Sequence, residues 1–387
     1  MKLIRNADVF EPGALGMRDV LVCAERVVAI EPSIEAPRQV ACEVVDAGGR
    51  ALVPGLVDAH VHVGGGGGES GFASRVPARV LPDLTRAGVT SVVGLLGTDT
   101  TTRSMEDLVA RTYALREEGL SAWCWTGGYA VPPRTLTGSV RGDIVFVDPI
   151  VGAGETAISD HRSSQPTFEE LVRLAADCHV AGLTSGKAGV LHLHVGDGAR
   201  GLAMVERALA ETELPARVFH PTHVNRQPAL FDEASRLAKG RGLTVDVTAF
   251  PVEGDDPALS AEDAIGRWLD AGLPRTRLTV SSDGGGCLPV FDADGRMTAM
   301  DVGQSTMLVT TLRARLEGGR ALADVLPFFT SSVAAQLRLP RKGRVEVGGD
   351  ADLVVLEPDG RVSDVMARGQ WMVRGGEARV RGTFERA

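Results

Sequence analysis

Four histidines and two carboxylates that could bind metal ions stand at or just beyond the ends of apolar, strand-like segments. The first two form an H-x-H pair in "LVDAHVHV", where strand residues two apart point to the same face. The complete set is His60, His62, Glu155, His194, His223 and Asp283. Imidazole and carboxylate together suit zinc and similar divalent ions. The set predicts a two-metal centre.

Further polar residues end or follow segments of the same kind. Thr98 and Tyr129 end the second and third segments, Arg226 ends the sixth, and Arg162 lies in "AISDHRS". Five glycines and Glu69 follow the first segment. A glycine run is costly to order unless the backbone must approach a neighbour closely, and this one lacks the G-K-[ST] of a phosphate loop. We interpret it as a substrate loop.

Each of these residues also has a purely structural interpretation. A single histidine at a strand end is more often a hydrogen-bonded core residue, and His192, one layer below His194, could support a ligand or simply pack. Arg162 and Arg226 could be solvated surface charges, and the glycines a disordered loop. The combination of H-x-H with strand-end histidines and an aspartate in later segments favours the metal interpretation.

Eight strand-like segments must position these residues: "LVDAHVHV", "TSVVGLLG", "SAWCWTGGY", "DIVFVDPIVG", "VLHLHVGD", "RVFHPTHV", "LTVDVTAF" and "RLTVSSDGG". Helical patterns separate most of them, although a proline-rich loop joins the third and fourth. This alternation over residues 52–340 predicts an α/β fold, a (β/α)₈ TIM-type barrel whose chemistry lies at the carboxyl ends of the strands. Short strands in residues 1–51 and 341–387 predict one small β-sandwich domain built from both chain ends.

Composition narrows the class of protein. The 387 residues carry 50 acidic and 41 basic side chains, a net charge of −9, and no basic stripe, which argues against a nucleic-acid partner. The five cysteines are scattered, as in a reduced cytoplasmic protein. No signal peptide and no 18-residue apolar stretch is evident, so we expect a cytoplasmic protein without a membrane segment.

Several motifs together resemble those of the amidohydrolase superfamily and, within it, the isoaspartyl (β-aspartyl) dipeptidases. The general motifs are "PGLVDAHVH" and "SSDG"; the more specific ones are "HVHVGGGGGE", "GTDT", "GGY", "AISDHRS", "HVGD" and "PTHVNR". They occur in that order and cover nearly the whole predicted barrel. The resemblance implies metal-dependent hydrolysis of β-aspartyl dipeptides.

The resemblance also implies residue roles. His60 and His62 would bind one Zn²⁺ beside Asp283, and His194 and His223 a second. A hydroxide bridging the two ions would attack the side-chain amide, with Asp283 moving the proton to the leaving amine. The other implied roles are an oxyanion donor, Tyr129; a site for the substrate ammonium, Glu69 with Thr98 and the backbone of Gly67; and carboxylate-binding side chains, Arg162, Arg226 and Cys287. We also expect a homo-oligomer.

Two positions depart from the family pattern. Glu155 stands where the family has a carboxylated lysine that bridges the metals, and it offers the same charge on a side chain shorter by about three bonds. Cys287 replaces a serine, and a thiol is a weaker hydrogen-bond donor than a hydroxyl. Glu155 is therefore predicted to bridge the ions without carbon dioxide.

Three alternatives remain open from the sequence. A cyclic-amide hydrolase of the dihydroorotase or hydantoinase type would use the same metals but has no free ammonium to bind. An N-acyl amino-acid deacylase would likewise have no use for Glu69. A metal-free binding protein on this barrel would not need the ligand set.

Overall fold

The computed structural model describes residues 1–252, 257–291 and 297–385. Strands at both chain ends belong to one sheet. The five N-terminal strands are β1 (Lys2–Phe10), β2 (Ala14–Cys23), β3 (Arg26–Glu31), β4 (Glu43–Asp46) and β5 (Ala51–Pro54).

Eight parallel strands follow and carry the candidate ligands. They are β6 (Leu56–Val61), β7 (Val89–Gly94), β8 (Ser121–Thr126), β9 (Ile150–Ile158), β10 (Val190–Val195), β11 (Phe219–Thr222), β12 (Val245–Thr248) and β13 (Leu278–Ser281). A hairpin and the C-terminal strands complete the set: β14 (Cys287–Phe291), β15 (Met297–Val302), β16 (Leu353–Leu356), β17 (Val362–Ala367), β18 (Gln370–Arg374) and β19 (Glu377–Ala378).

Helices lie between the parallel strands and after them. The α-helices are α1 (Leu81–Thr85), α2 (Met105–Glu117), α3 (Val140–Phe146), α4 (Phe168–Ser185), α5 (Ala203–Glu211), α6 (Pro228–Arg241), α7 (Ala261–Asp270), α8 (Thr306–Glu317), α9 (Leu322–Val325) and α10 (Ser331–Gln336). Short 3₁₀ helices cover Phe72–Ser74, Ala216–Val218, Arg275–Arg277 and Leu326–Phe329. Within the described residues, none of these helices is both long and apolar enough to cross a membrane.

The eight parallel strands close into a barrel. Strands β6 to β11 pair in chain order, and β12 pairs with β13. The Val224 amide donates to the Asp246 carbonyl at 3.2 Å, joining the end of β11 to β12, and the His62 amide donates to the Gly284 carbonyl at 2.8 Å, joining β6 to the end of β13. The predicted (β/α)₈ barrel is confirmed.

The fourth predicted strand was partly wrong. The segment "DIVFVDPIVG" begins inside α3, whose first turn is capped by the Ser139 side chain accepting from the Gly142 amide at 3.0 Å. A short apolar run fits either a helix or a strand, and the serine cap decides for the helix here. The strand itself, β9, starts at Ile150 and contains Glu155, which the sequence had placed beyond the strand end.

The terminal strands form one sheet in the order β19-β18-β17-β16-β5-β1-β2-β3, with β4 beside β1. Apolar side chains from both chain ends share one buried cluster there. Lys342 connects this region to the barrel, because its buried ammonium contacts Ser121 Oγ at 2.6 Å, Asp350 Oδ2 at 2.7 Å and Asp352 Oδ2 at 2.5 Å. The division at residues 51 and 341 stays a prediction.

Candidate metal centre and substrate pocket

The six candidate ligands meet at the carboxyl ends of the barrel strands. His60 and His62 lie on and just after β6, Glu155 in β9, and His194 in β10. The remaining two, His223 and Asp283, follow β11 and β13. All six side chains are buried. Because successive strands of a barrel bring their ends to one face, residues far apart in the chain form a single cluster.

Glu155 occupies the middle of the cluster. Its Oε1 lies 3.5 Å from His62 Nε2, and its Oε2 lies 3.5 Å from both His60 Nε2 and His223 Nε2. The same Oε2 is 3.2 Å from His194 Nδ1. One carboxylate therefore faces both pairs of histidines, as a bridging ligand requires.

Asp283 completes the half of the cluster that contains the H-x-H pair. Its Oδ1 is 3.1 Å from His62 Nε2 and 3.5 Å from His60 Nε2. Among the described residues, Asp283 Oδ1 and His60 Nε2 are buried and lack a hydrogen-bond partner. Buried polar atoms are rarely left so, and a divalent cation is the partner that suits both an imidazole lone pair and a carboxylate oxygen. The donor set fits a metal centre.

In the absence of metal, burial and the neighbouring charges determine the protonation of the clustered histidines and carboxylates. Burial lowers the pKa of His60, but the charges of Glu155 and Asp283 outweigh burial and raise it to about 9. Burial lowers the pKa of His223 to about 3, so this imidazole is neutral. Burial would raise the pKa values of both carboxyls, but the histidines hold them well below the usual range. The carboxylates are thus ionised, and a cation can take the place of the proton on His60.

Two of the ligands occupy unfavourable backbone conformations. His223 has a φ of 63° and Asp283 a φ of 51°, in the left-handed region. Such conformations cost about 1–3 kcal/mol each and are concentrated at functional sites. Gly97 lies against the cluster, where a Cβ atom would stand 2.8 Å from the His62 ring. The backbone at these strand ends therefore directs the side chains toward the centre of the cluster.

Glu69 lies beside the metal cluster at the end of the glycine run. Its Oε1 accepts a hydrogen bond from Thr98 Oγ1 at 2.9 Å and lies 3.7 Å from Arg162 Nη1. Its Oε2 is buried and has no hydrogen-bond partner in the described part of the chain. Burial and the charge of Glu69 raise the pKa of the Cys287 thiol to about 12. A cavity of about 360 Å³ opens at Glu69 and Thr98.

Tyr129 contacts one histidine of the cluster and the arginine that lies near Glu69. Its hydroxyl is 2.8 Å from His194 Nδ1, and the Arg162 guanidinium lies 5.6 Å from the centre of its ring. Burial and, to a lesser degree, Glu155 raise the pKa of Tyr129 well above 10. The hydroxyl therefore stays protonated and can donate. The other candidate arginine, Arg226, has its Nη1 3.8 Å from Oδ1 of the exposed Asp197.

Comparison with known proteins identifies the family, because residues 51–372 match the description "Amidohydrolase family". The chain belongs to the amidohydrolase family. A crystal structure of the β-aspartyl dipeptidase from Fervidobacterium islandicum AW-1 in complex with β-Asp-Leu has a TM-score of 0.91 and 42% identity, covering 98% of each chain. The resemblance to isoaspartyl dipeptidases is confirmed.

Two more distant proteins resemble the chain over most of its length. The dihydroorotase of Syntrophotalea carbinolica is 25% identical over 92% of this chain and 89% of its own length. A D-hydantoinase from Thermus sp. shares the fold, with a TM-score of 0.70 and 17% identity over 99% of this chain and 98% of its own.

Asp160 is a site residue of this amidohydrolase that the sequence did not reveal. Its Oδ2 lies 2.8 Å from His194 Nε2, and the carboxylate also accepts two hydrogen bonds from the Arg162 guanidinium, at 3.0 and 2.8 Å. Burial raises its pKa, but His194 and Arg162 outweigh burial and lower it well below the usual range. Asp160 thus orients a ligand. Its place in "AISDHRS", two residues before the arginine, was the available signal.

Asp58 was missed as well. It accepts hydrogen bonds from the hydroxyl of Ser282 at 2.5 Å, from the Ser282 amide at 3.2 Å and from the His60 amide at 3.3 Å. Burial raises its pKa to about 7, although those hydrogen bonds oppose the rise. Asp58 joins the H-x-H strand to the segment that carries Asp283.

The glycine run of this amidohydrolase is held by Arg103. The guanidinium donates to the carbonyls of Gly64 at 2.6 Å, Gly66 at 2.7 Å and Val76 at 3.1 Å. Gly65 has a φ of 80°, and a Cβ atom there would overlap the Val76 carbonyl. Close approach of two backbone segments, clamped by one cation, explains why glycine is required at this position.

We predict that Arg103→Met raises KM for the substrate and lowers kcat/KM about 10- to 100-fold, while metal content stays unchanged. Each hydrogen bond to a charged group stabilises by about 1.5–3 kcal/mol, and losing three frees the loop that carries Glu69. Steady-state kinetics and elemental analysis check this. Arg173→Met, an exposed site on α4, is the control. Unchanged kinetics in Arg103→Met would contradict the clamp.

Proposed function

We propose that this amidohydrolase is a zinc-dependent isoaspartyl dipeptidase that hydrolyses β-aspartyl dipeptides. The observation that carries the proposal is the environment of Glu69. Its Oε2 is buried and has no hydrogen-bond partner among the described residues, and the residue lies beside the cluster that could hold metal ions. A free α-ammonium is the substrate group that supplies the missing partner. The similarity to a dipeptidase structure in complex with β-Asp-Leu supports the same substrate class.

Two Zn²⁺ ions per chain are part of the proposal. His60, His62 and Asp283 would hold one ion, His194 and His223 the other, and Glu155 would bridge them. When bound at these residues, the ions would supply Lewis-acid polarisation of the amide carbonyl and a water that is nucleophilic at neutral pH. Asp283 is ionised, so its carboxylate can accept the proton of the attacking water and deliver it to the nitrogen of the leaving amine.

Tyr129 and the pocket residues complete the reaction. The protonated Tyr129 hydroxyl donates to the oxygen that becomes negative in the transition state, an effect worth roughly 3–4 kcal/mol for one donor. We assign Arg226 and Arg162 to the two substrate carboxylates, since the planar guanidinium matches both carboxylate oxygens. Asp160 fixes the Arg162 plane through its two hydrogen bonds.

We further propose that Cys287 contributes to the wall of the carboxylate site, and that the backbone of Gly67 and Thr98 support the ammonium site. A homo-oligomer and a cytoplasmic location complete the proposal. Sedimentation of the purified protein tests the oligomer.

A substrate panel and elemental analysis test the function. We expect one to two divalent ions per chain, predominantly zinc, and hydrolysis of β-Asp-Leu. Hydantoin, dihydroorotate and N-acetyl-β-Asp-Leu should be poor substrates, because none presents a free ammonium to Glu69. Preference for a cyclic amide or an N-acyl substrate would reject the dipeptidase. Full activity in metal-free protein would reject the mechanism.

A further inference from the structure

A row of buried polar side chains runs from the metal centre down into the barrel. His60 Nδ1 lies 2.8 Å from His192 Nε2, and His192 Nδ1 lies 3.1 Å from His220 Nδ1. His220 Nε2 is 2.9 Å from Thr279 Oγ1, which lies 2.5 Å from Asp246 Oδ1. All five residues have no exposed surface. The row joins a candidate ligand to a buried carboxylate through two further imidazoles.

Each contact in the row holds a single hydrogen, so one partner donates and the other accepts. The residues at the two ends of the row determine which partner donates at each contact. His60 turns Nε2 toward Glu155 and Asp283, so a metal takes that lone pair and Nδ1 must carry the hydrogen. At the other end the Thr279 hydroxyl donates to Asp246 Oδ1, which leaves the Thr279 oxygen as an acceptor for His220. His192 consequently accepts at Nε2 and donates from Nδ1.

His220 must then have the opposite tautomer, accepting at Nδ1 and donating from Nε2 to Thr279. The anchoring of Asp246 supports this direction, because its Oδ2 also lies within reach of two hydroxyl donors, Thr222 at 2.7 Å and Ser281 at 2.5 Å. With hydroxyls on both oxygens, the carboxylate accepts from every neighbour.

We propose that His192 and His220 are positioning residues that hold His60 as the Nδ1–H tautomer for metal binding through Nε2, with Asp246 as the final acceptor. Metal-binding histidines usually donate their second ring N–H directly to a carboxylate or carbonyl. Here two imidazoles and the Thr279 hydroxyl separate His60 from the carboxylate. The inference rests on the proposed metal centre, but it is independent of the dipeptide substrate.

Trp125 fixes the plane of the first inner imidazole without competing for its nitrogens. The indole stacks on His192 with 5.0 Å between ring centres and 13° between planes. Its own N–H donates to the Ala59 carbonyl at 3.0 Å. Both nitrogens of His192 thus remain available for the row.

Nitrogen-15 NMR of histidine-labelled, zinc-loaded protein tests the tautomers directly. We expect two neutral inner imidazoles of opposite type, with the proton of His192 on Nδ1 and that of His220 on Nε2. Assignment uses His192→Gln and His220→Gln variants, each of which removes one set of signals. The same tautomer on both rings, or a positive charge on either, would overturn the proposal.

Metal affinity gives a second test by chelator competition with Zn²⁺. His192→Phe keeps an aromatic ring against Trp125 but removes both nitrogens, so zinc affinity should fall about 10- to 100-fold. In His192→Gln the amide oxygen can still accept from His60, and affinity should recover most of that loss. The control is His179→Gln, on α4 and bonded to Arg217.

The two experiments distinguish a failure of the proposed metal centre from a failure of the positioning role. Wild-type protein that binds no zinc would refute the metal centre itself. Zinc binding in folded His192→Phe equal to the wild type would refute the positioning role alone. If His192→Phe does not fold, the tautomers that NMR detects in the zinc-loaded wild type decide the positioning role on their own.

Discussion

Replacing Glu155 by alanine is expected to remove one of the two proposed metal ions and to lower kcat/KM for β-Asp-Leu by about 100-fold or more. Glu155 faces His62 with one oxygen and the other three histidines of the cluster with its second, at 3.2–3.5 Å. Without it, two cations would face one another with a single remaining carboxylate, Asp283. Elemental analysis and steady-state kinetics check the two effects.

The same residue gives an expectation about bicarbonate. A carboxylated lysine forms reversibly, so such a site needs bicarbonate when metal is returned to the apo-protein. Glutamate carries its charge permanently, and we expect metal loading and activity to recover equally with and without bicarbonate. Glu155→Gln, which keeps the shape and loses the charge, is the matched control and should reload no more than one ion with or without bicarbonate. A bicarbonate requirement in the wild type would show that another group bridges the ions.

The second large effect is expected for Glu69→Gln, which should lower kcat/KM for β-Asp-Leu by about 100-fold or more at unchanged metal content. Removing one partner of a buried charge pair commonly costs 2–5 kcal/mol, because the other charge is left unpaired. Here the unpaired charge would be the substrate ammonium. Kinetics and elemental analysis of the same preparation provide the measurement.

An N-acetylated substrate tests whether Glu69 pairs with the free ammonium group of the dipeptide. The wild type should discriminate strongly against N-acetyl-β-Asp-Leu, and Glu69→Gln should lose most of this discrimination, since the variant has no charge to pair. Glu169→Gln, at an exposed position in the first turn of α4, should match the wild type. Equal discrimination by wild type and Glu69→Gln would remove Glu69 from the ammonium site.

Strand-end reasoning predicted the histidine cluster because a barrel brings the carboxyl ends of its strands to one face whatever the loops between them do. It placed Glu155 less well, since the apolar letters around residue 145 fit a helix and a strand equally. Asp160 follows the end of β9 directly and reaches back to His194, a contact that no spacing rule encodes. Asp246 was not predicted, because a single acidic residue in an apolar strand does not indicate which hydroxyl groups and imidazoles will surround its carboxylate.

The sheet shared by the two chain ends has a consequence for how the protein is made. Strand β5 pairs with β1 on one side and with β16 on the other, and the strand that carries His60 begins two residues after it. On the ribosome, β5 is completed early but its second neighbour emerges only after the whole barrel. Until then the edge of β5 offers unpaired backbone groups, which are a template for aggregation. Synthesis of the final strands therefore closes the edge of β5, the strand just before the one that carries His60, and a chain interrupted within the barrel would expose that edge to chaperones and proteases.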